Sequence, residues 1–167
     1  MAEIKFKGKP VHTSGSLPEI GTKAHEFQLT TTDLEDITLN DFKGKRILMN
    51  IFPSLDTDIC AESIRFFALE APNLENTEVL CISKDLPFAH KRFFLTEGIK
   101  NVTAASEMRN RKFGEDYGVA MIDGPLAGLL SRAIVVIDEN GVVLYTEQVP
   151  EIKQASNYQK AIAALGR

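Results

Sequence analysis

Residues 46–60 read RILMNIFPSLDTDIC, and their pattern is the most informative in the chain about its fold. The first seven residues are apolar on both faces except for Asn50, a pattern typical of a central strand that helices cover on both sides. Pro53 ends this strand, and the residues after Thr57 show the apolar spacing of a helix. The stretch therefore predicts a buried strand, a short loop and a helix whose first turn contains Cys60.

The rest of the chain adds elements in an order that is typical of a thioredoxin-like fold. A small hairpin at 3–13 comes first. The predicted strands are 24–29, 37–39, 46–52, 78–83, 102–105, 132–138 and 142–149. The predicted helices are 40–44, the helix that has Cys60 in its first turn and runs to residue 71, 87–98, 109–117 and 157–165. Parallel βαβ followed by antiparallel ββα is the outline of that fold. We therefore predict one α/β domain over residues 1–167, with residues 1–14 as an N-terminal hairpin extension.

The composition is that of an ordinary soluble domain. The chain has 167 residues, of which 44% are hydrophobic and 25% charged, and its formal net charge is −4. A chain of this length buries about 70% of its unfolded surface, so its core needs no disulfide or metal. The acidic balance disfavours a nucleic acid or an anionic membrane as a partner. The N-terminus lacks the apolar region of a secretory signal, so we expect a cytoplasmic protein.

Cys60 is the candidate reactive group. The first turn of a helix gathers free N–H groups and the positive end of the helix dipole, and both favour a thiolate. Thr57 is suited to cap this helix, and its hydroxyl is expected on the same side as Cys60. Pro53 is expected to shape the loop and to shield the sulfur from water. The alternative is that Cys60 is a small buried hydrophobic residue without a chemical role.

A thiolate at this position requires a nearby cation. Asp56 and Asp58 place like charge beside the sulfur, and the loop itself contains no cation to offset them. Arg132 is the first candidate, because it opens a strand that neighbours the central strand in a thioredoxin-like layout. Arg65, in the helix after the cysteine, is the second candidate, although an arginine there is more often simply exposed.

Four segments together resemble the bacterial thiol peroxidases, which are atypical two-cysteine peroxiredoxins. They are FKGKPV, FPSLDTDIC, VLCISKDLPFA and YGVAMIDGPLAGLLSRAIVVIDENG, and the resemblance runs nearly from end to end. It implies a thioredoxin fold with an N-terminal hairpin, a homodimer, and no cofactor or metal. It also implies reduction of hydrogen peroxide and organic hydroperoxides with electrons from thioredoxin or another external thiol. By matching position, the resemblance implies these catalytic residues: Cys60 as the peroxidatic cysteine, Thr57 as its hydroxyl partner, Pro53 as the shielding proline and Arg132 as the guanidinium.

The chain departs from this family at the second reactive cysteine. The family's resolving cysteine follows the Arg-Phe of the helix after VLCIS, and here that position holds Phe94. The usual intramolecular disulfide is therefore not available. Cys81 matches a cysteine that the family carries without a resolving role, and its apolar neighbours favour an inert buried residue. The alternative is that Cys81 resolves Cys60 after the helix unwinds. We expect an external thiol to resolve a sulfenic acid on Cys60.

Other functions fit parts of the sequence. A peroxide sensor or redox-regulated holdase would use the same cysteine without substantial turnover. The DTD at residues 56–58 superficially resembles the motif of magnesium-dependent phosphatases, but the preceding loop at 53–55 spoils its place at the strand end. A Cys–His hydrolase lacks any local signature around the three histidines, and two distant cysteines provide no zinc spacing.

Overall fold

Residues 1–166, the part of the chain that this computed structural model describes, contain nine strands and four α-helices. The strands are β1 (Glu3–Phe6), β2 (Lys9–His12), β3 (Gln28–Thr30), β4 (Asp36–Thr38), β5 (Arg46–Ile51), β6 (Thr77–Ser83), β7 (Thr103–Ser106), β8 (Ala133–Ile137) and β9 (Val143–Gln148). The helices are α1 (Asp58–Glu70), α2 (Pro87–Glu97), α3 (Lys112–Asp116) and α4 (Tyr158–Ala163), with short 3-10 helices at Leu39–Phe42 and Ala71–Asn73.

Seven of the strands form one mixed sheet, in the order β4-β3-β7-β6-β5-β8-β9, while β1 and β2 form a separate hairpin. Strand β5 lies between β6, which runs parallel to it, and β8, which runs antiparallel. Every residue of β5 after Arg46 is buried, and so is all of β8. The predicted central strand and the predicted thioredoxin-like α/β fold are confirmed.

Two apolar clusters cover the two faces of the sheet. Successive side chains of β5 point to opposite faces, so Leu48 belongs to the cluster under α1 and Met49 to the cluster on the other face. Helix α1 contributes Cys60, Ile64 and Phe67 to its cluster. Burying one large apolar side chain contributes about 1.5–3 kcal/mol, so this packing fixes α1 firmly on the sheet.

The helix predicted at 109–117 is shorter than expected, because α3 begins only at Lys112. The guanidinium of Arg109 instead crosses to the β3–β4 hairpin. It donates to the Asp36 carboxylate at 2.8 Å and to the carbonyl of Leu34 at 3.3 Å. These tertiary hydrogen bonds hold residues 109–111, which precede α3, outside the helix.

The strand predicted at 24–29 is also shorter, since only β3 pairs in the sheet. The N–H of Ala24 donates to the carbonyl of Gly141 at 2.8 Å, which draws the preceding segment to the β8–β9 turn. The other boundaries lie within a few residues of the prediction. Pro87 begins α2, and Gly98 ends it in the left-handed conformation, with φ 64°. Within residues 1–166, no helix has the length and apolar character needed to cross a bilayer.

The N-terminal hairpin docks on the segment 150–152, which follows β9. Lys5 exchanges two main-chain hydrogen bonds with this segment, at 2.8 and 2.9 Å. The Glu151 carboxylate accepts the N–H groups of Gly8 and Lys7 in the hairpin turn, at 3.1 and 3.0 Å. These bonds lower the pKa of Glu151 below its ordinary value. The hairpin is therefore tied to the body of the protein by main-chain bonds and by one carboxylate.

Candidate active site

Cys60 lies in the first turn of α1, just beyond the carboxyl end of β5. Thr57 is the N-cap residue, so Cys60 is the third residue of the helix. The first turn carries N–H groups without intrahelical acceptors and the positive end of the helix dipole, an environment that stabilises negative charge. The cysteine is fully buried, with 0% of its surface exposed.

The guanidinium of Arg132 reaches this cysteine from the neighbouring strand. Its Nη1 lies 3.1 Å from Sγ of Cys60, and its Nε donates to the carbonyl of Ile152 at 2.9 Å. Only 5% of Arg132 is exposed. Since a charge buried without a partner is costly, the contact with the sulfur and the bond to the carbonyl together keep this guanidinium in place.

Pro53 and Thr57 lie in the loop between β5 and α1. Pro53 is buried two residues after the end of β5. Thr57 is exposed, and its hydroxyl donates to the carbonyl of Ser54 at 3.0 Å. Within residues 1–166, no hydrogen bond joins this hydroxyl to Cys60. The structure therefore brings Arg132 to the cysteine, and it turns the threonine hydroxyl towards the backbone of its own loop.

A carboxylate that the sequence analysis did not single out holds this loop against the sheet. Asp85 follows β6, and its Oδ1 accepts a hydrogen bond from Ser54 Oγ at 2.8 Å. Its Oδ2 accepts from the N–H of Leu55 at 2.9 Å and from Ser83 Oγ at 2.6 Å. The available signal was its position, because the carboxyl ends of the parallel strands β5 and β6 meet at one edge of the sheet.

His90 of α2 extends this polar network into the core. Its Nε2 lies 2.9 Å from Ser83 Oγ, and the Ser83 hydroxyl already donates to Asp85, so Nε2 is assigned as the donor. Its Nδ1 is buried, and no residue in the described range 1–166 forms a hydrogen bond with it. Burial lowers the pKa of His90 to about 4, although the Asp85 carboxylate at 4.0 Å acts in the opposite direction. The imidazole is therefore neutral at pH 7.

The second cysteine belongs to a separate buried network. Asn50 donates to Ser63 Oγ at 3.0 Å and lies 4.0 Å from Sγ of Cys81. The Ser63 hydroxyl donates to the carbonyl of Cys60 at 2.7 Å, which ties the first turn of α1 to β5. Burial raises the pKa of Cys81 to about 12, so its thiol is protonated at neutral pH. Both cysteines are free thiols.

Helix α2 carries the remaining charges of interest. Arg65, the second candidate cation, pairs with Glu97 on the exposed side of α1. Arg92 contacts the Asp56 carboxylate at 3.3 Å, in an exposed pair. Phe94, at the position of the expected resolving cysteine, is half-buried and packs against the cluster that contains the reactive cysteine.

A known protein family matches most of this chain. The model of the Redoxin family matches residues 19–162, which is more than half of the chain. The chain is a member of the Redoxin family.

Relatives of this redoxin match it over nearly its whole length. Thiol peroxidase of Mycobacterium tuberculosis strain H37Rv is 54% identical, and thiol peroxidase of Corynebacterium glutamicum is 50% identical, each over 99% of both chains. The crystal structure of a peroxiredoxin-like protein from Aquifex aeolicus superposes with a TM-score of 0.93 at 36% identity, covering 99% of this chain and 96% of that one. The predicted enzyme class is confirmed: this redoxin is a thiol-dependent peroxidase.

Proposed function

We propose that this redoxin reduces hydrogen peroxide and organic hydroperoxides to water and alcohols, with Cys60 as the peroxidatic cysteine. The observation that carries the proposal is the distance of 3.1 Å between Arg132 Nη1 and Sγ of Cys60, in the first turn of a helix. A buried guanidinium and a helix N-terminus both stabilise a sulfur anion and the negative charge that develops when an O–O bond breaks.

The first step is nucleophilic substitution at oxygen. The Cys60 thiolate attacks the terminal peroxide oxygen, an S–O bond forms and the O–O bond breaks. The sulfur is oxidised by two electrons to a sulfenic acid. The peroxide is reduced by the same two electrons, and its departing hydroxide or alkoxide takes up a proton and leaves as water or an alcohol.

Arg132 acts mainly on the transition state in this proposal. A lower thiol pKa increases the fraction of thiolate at neutral pH, but it also weakens each thiolate as a nucleophile, and the two effects largely cancel. A rate enhancement therefore needs groups that bind the stretched O–O bond more strongly than the intact peroxide. The guanidinium at the sulfur is the charged group available for this role. The carbonyl of Ile152 holds it in that position.

Two further residues have proposed supporting roles. Pro53, buried at the start of the loop, shields the sulfur from water. Thr57 supplies a hydroxyl to the peroxide after rotating away from the carbonyl of Ser54, its present acceptor at 3.0 Å. Such a rotation is inexpensive because Thr57 is exposed.

The second step needs a thiol from another molecule, because Phe94 stands where the family has its resolving cysteine. A reductant thiol attacks the sulfenic sulfur, which gives a mixed disulfide and releases water. A second thiol then attacks this disulfide, which restores Cys60 and yields the oxidised reductant. We propose thioredoxin or another external thiol for this step. The dependence on thiols favours the cytoplasm, a compartment that is kept reducing.

A homodimer is the proposed assembly. Leu86 and Phe88 are large apolar residues with 53% and 64% of their surface exposed, and Met108 is 36% exposed. Leu86 follows β6 and Met108 follows β7, and these parallel neighbours end at the same edge of the sheet as the active-site loop. Burial of such side chains between two copies would remove apolar surface from water. Analytical ultracentrifugation of wild type and Phe88→Asp tests this assembly, and a monomeric wild type would contradict it.

Peroxide consumption is the decisive measurement for the proposed reaction. Wild type is expected to consume hydrogen peroxide and cumene hydroperoxide with thioredoxin or with glutathione as the reductant. Cys60→Ser should be inactive, whereas the matched variant Cys81→Ala should retain activity. Oxidation of Cys60 without turnover under either reductant would instead indicate a peroxide sensor or holdase. Activity that survives in Cys60→Ser would refute the assignment of the reactive sulfur.

A further inference from the structure

We propose that Asp85 is a positioning residue that holds the loop at residues 53–57 closed over Cys60, and that its release controls how an external thiol reaches the oxidised cysteine. The inference extends the proposed peroxidase reaction and rests on the role assigned to Cys60. It concerns a carboxylate that touches neither the sulfur nor Arg132. Its contribution is to the shape of the loop that leads into α1.

Asp85 is a partly buried polar connection between this loop and the sheet. It accepts hydrogen bonds from Ser54 Oγ at 2.8 Å and from the N–H of Leu55 at 2.9 Å. In the described part of the chain, the other polar side-chain contact from the loop to a neighbouring element is the exposed Asp56–Arg92 pair. Exposed ion pairs contribute little, whereas a hydrogen bond to a shielded charge contributes more. Asp85 is therefore the principal polar restraint on the loop.

The carboxylate is itself fixed from the sheet side. Ser83 Oγ donates to it at 2.6 Å, and Ser106 Oγ donates to the Asp85 carbonyl at 2.6 Å. His90 Nε2 lies 2.9 Å from Ser83 Oγ. Because these partners orient Asp85 from β6, β7 and α2, its two oxygens present a fixed pair of acceptors to the loop.

Access to the sulfur depends on releasing this restraint. Cys60 is 0% exposed, and Leu55, whose N–H bonds to Asp85, is 1% exposed in the same apolar cluster. A protein thiol or a glutathione molecule is too large to reach a sulfur in that environment without local opening of the loop and the first turn. Opening breaks the bonds to Ser54 and Leu55. Asp85 therefore favours the closed form, which reacts with peroxide, over the open form, which reacts with the reductant.

The proposal predicts opposite effects on the two half-reactions. Weakening the restraint should slow oxidation of Cys60 by peroxide, because the sulfur loses its fixed position. It should accelerate reduction of the sulfenic acid by an external thiol, because the open form becomes more populated. A purely structural role in stability would give no such opposite change in the two rates.

The first test uses reduced protein in a Cys81→Ala background, so that Cys60 is the single thiol. The variants are Asp85→Asn, which removes the charge, and Ser54→Ala, which removes one bond from the loop side. Alkylation of Cys60 by iodoacetamide should become about tenfold faster or more, since losing a hydrogen bond to a charged group shifts an opening equilibrium by that order. Deuterium uptake at the Leu55 amide should rise in parallel. Arg92→Ala, which removes the exposed pair with Asp56 and leaves every hydrogen bond of Asp85 in place, is the matched control and should stay within about twofold of its parent.

The second test separates the two half-reactions by stopped-flow measurement with hydrogen peroxide and then with glutathione. In Ser54→Ala and Asp85→Asn, slower oxidation together with faster reduction would support the proposal. Unchanged alkylation and amide exchange in both variants would overturn it. Alkylation and exchange require no peroxidase turnover, so they test the restraint even if Cys60 proves not to react with peroxide.

Discussion

Arg132 and Cys60 are 72 residues apart in the chain, yet Nη1 of the arginine lies 3.1 Å from Sγ of the cysteine. Strand pairing explains the contact. Ala133, the first residue of β8, pairs with Ile51, the last residue of β5. The residue before β8 therefore meets the loop that leaves β5, and a guanidinium at that position reaches the first turn of α1.

Replacing Arg132 is expected to reduce the rate of Cys60 oxidation by more than any loss of thiolate explains. Removing a preorganised donor from a developing anion typically lowers the rate by about 10²–10³-fold. The rate of Cys60 oxidation in Arg132→Ala should therefore be lower than in wild type by about that factor. Arg132→Lys should recover part of the rate, because it keeps the charge but loses the planar fork. Stopped-flow oxidation, compared at equal thiolate fraction, measures the effect. Arg65→Ala is the control, and equal rates for Arg132→Ala and wild type would remove the guanidinium from the mechanism.

Cys81 is expected to take no part in the reaction. Its thiol is buried and protonated, since burial raises its pKa to about 12. Cys81→Ala should therefore oxidise at the wild-type rate, with a stability loss of about 1 kcal/mol from the small cavity. Mass measurement of wild type after one equivalent of peroxide should show added oxygen and no loss of two hydrogens. A Cys60–Cys81 disulfide in that measurement would contradict this prediction.

Phe94→Cys is expected to restore an intramolecular resolving step. The family resemblance places the resolving cysteine at this position, and Phe94 already packs beside the cluster that holds Cys60. Peroxide should then form a disulfide between Cys60 and the introduced cysteine within each chain of Phe94→Cys. Non-reducing mass spectrometry would detect this disulfide as a loss of two hydrogens per chain. Leu95→Cys, on the exposed side of α2, is a matched control. A stable sulfenic acid in Phe94→Cys would show that the helix cannot bring this position to the sulfur.

His90 is expected to make the protein less stable in mild acid. Its folded pKa of about 4 lies below its ordinary value of 6.5, so the unfolded chain binds more protons between these two pH values. The free energy of unfolding should therefore fall as pH decreases from 6.5 towards 4, with a contribution from this group on the order of 3 kcal/mol. His90→Gln removes the titrating ring and should flatten this dependence. Urea unfolding of both proteins at pH 7 and at pH 4.5 measures how much the free energy of unfolding falls between these pH values. An equal fall in wild type and His90→Gln would refute the assignment of this pH dependence to His90.

Local patterns explain which parts of the fold were predictable. Neighbouring residues define the apolar run around Asn50, and Pro87 and Gly98 mark the two ends of α2. Strand β5 and helix α2 are therefore predicted close to their observed positions. The start of α3 was missed because Arg109 is held by Asp36, from a distant hairpin. Tertiary bonds of this kind have no signature in a short window of sequence. The single-domain organisation stays a prediction.

The site divides in the same way. Cys60 is predictable from the local motif at residues 53–60. Arg132 is predictable from the order of the strands and from the family resemblance. Asp85 was missed because its partner Ser54 is 31 residues away, and the one signal for the contact is that both residues follow parallel strands that end at the same edge of the sheet. The hydroxyl of Thr57 was expected beside the cysteine, whereas in the structure it bonds to the carbonyl of Ser54, since threonine side chains compete readily for nearby backbone.

The docked N-terminal hairpin helps to hold Arg132 in position at the active site. Arg132 is held by the carbonyl of Ile152, and the N–H of Ile152 is held in turn by the carbonyl of Lys5 in β1. A proteolytic nick in this hairpin would therefore let the guanidinium drift while leaving every neighbour of the sulfur chemically intact. A protein fused ahead of β1 strains the same hydrogen bonds between Lys5, Ile152 and Arg132. Such fusions should therefore be tested for peroxidase turnover as well as for solubility.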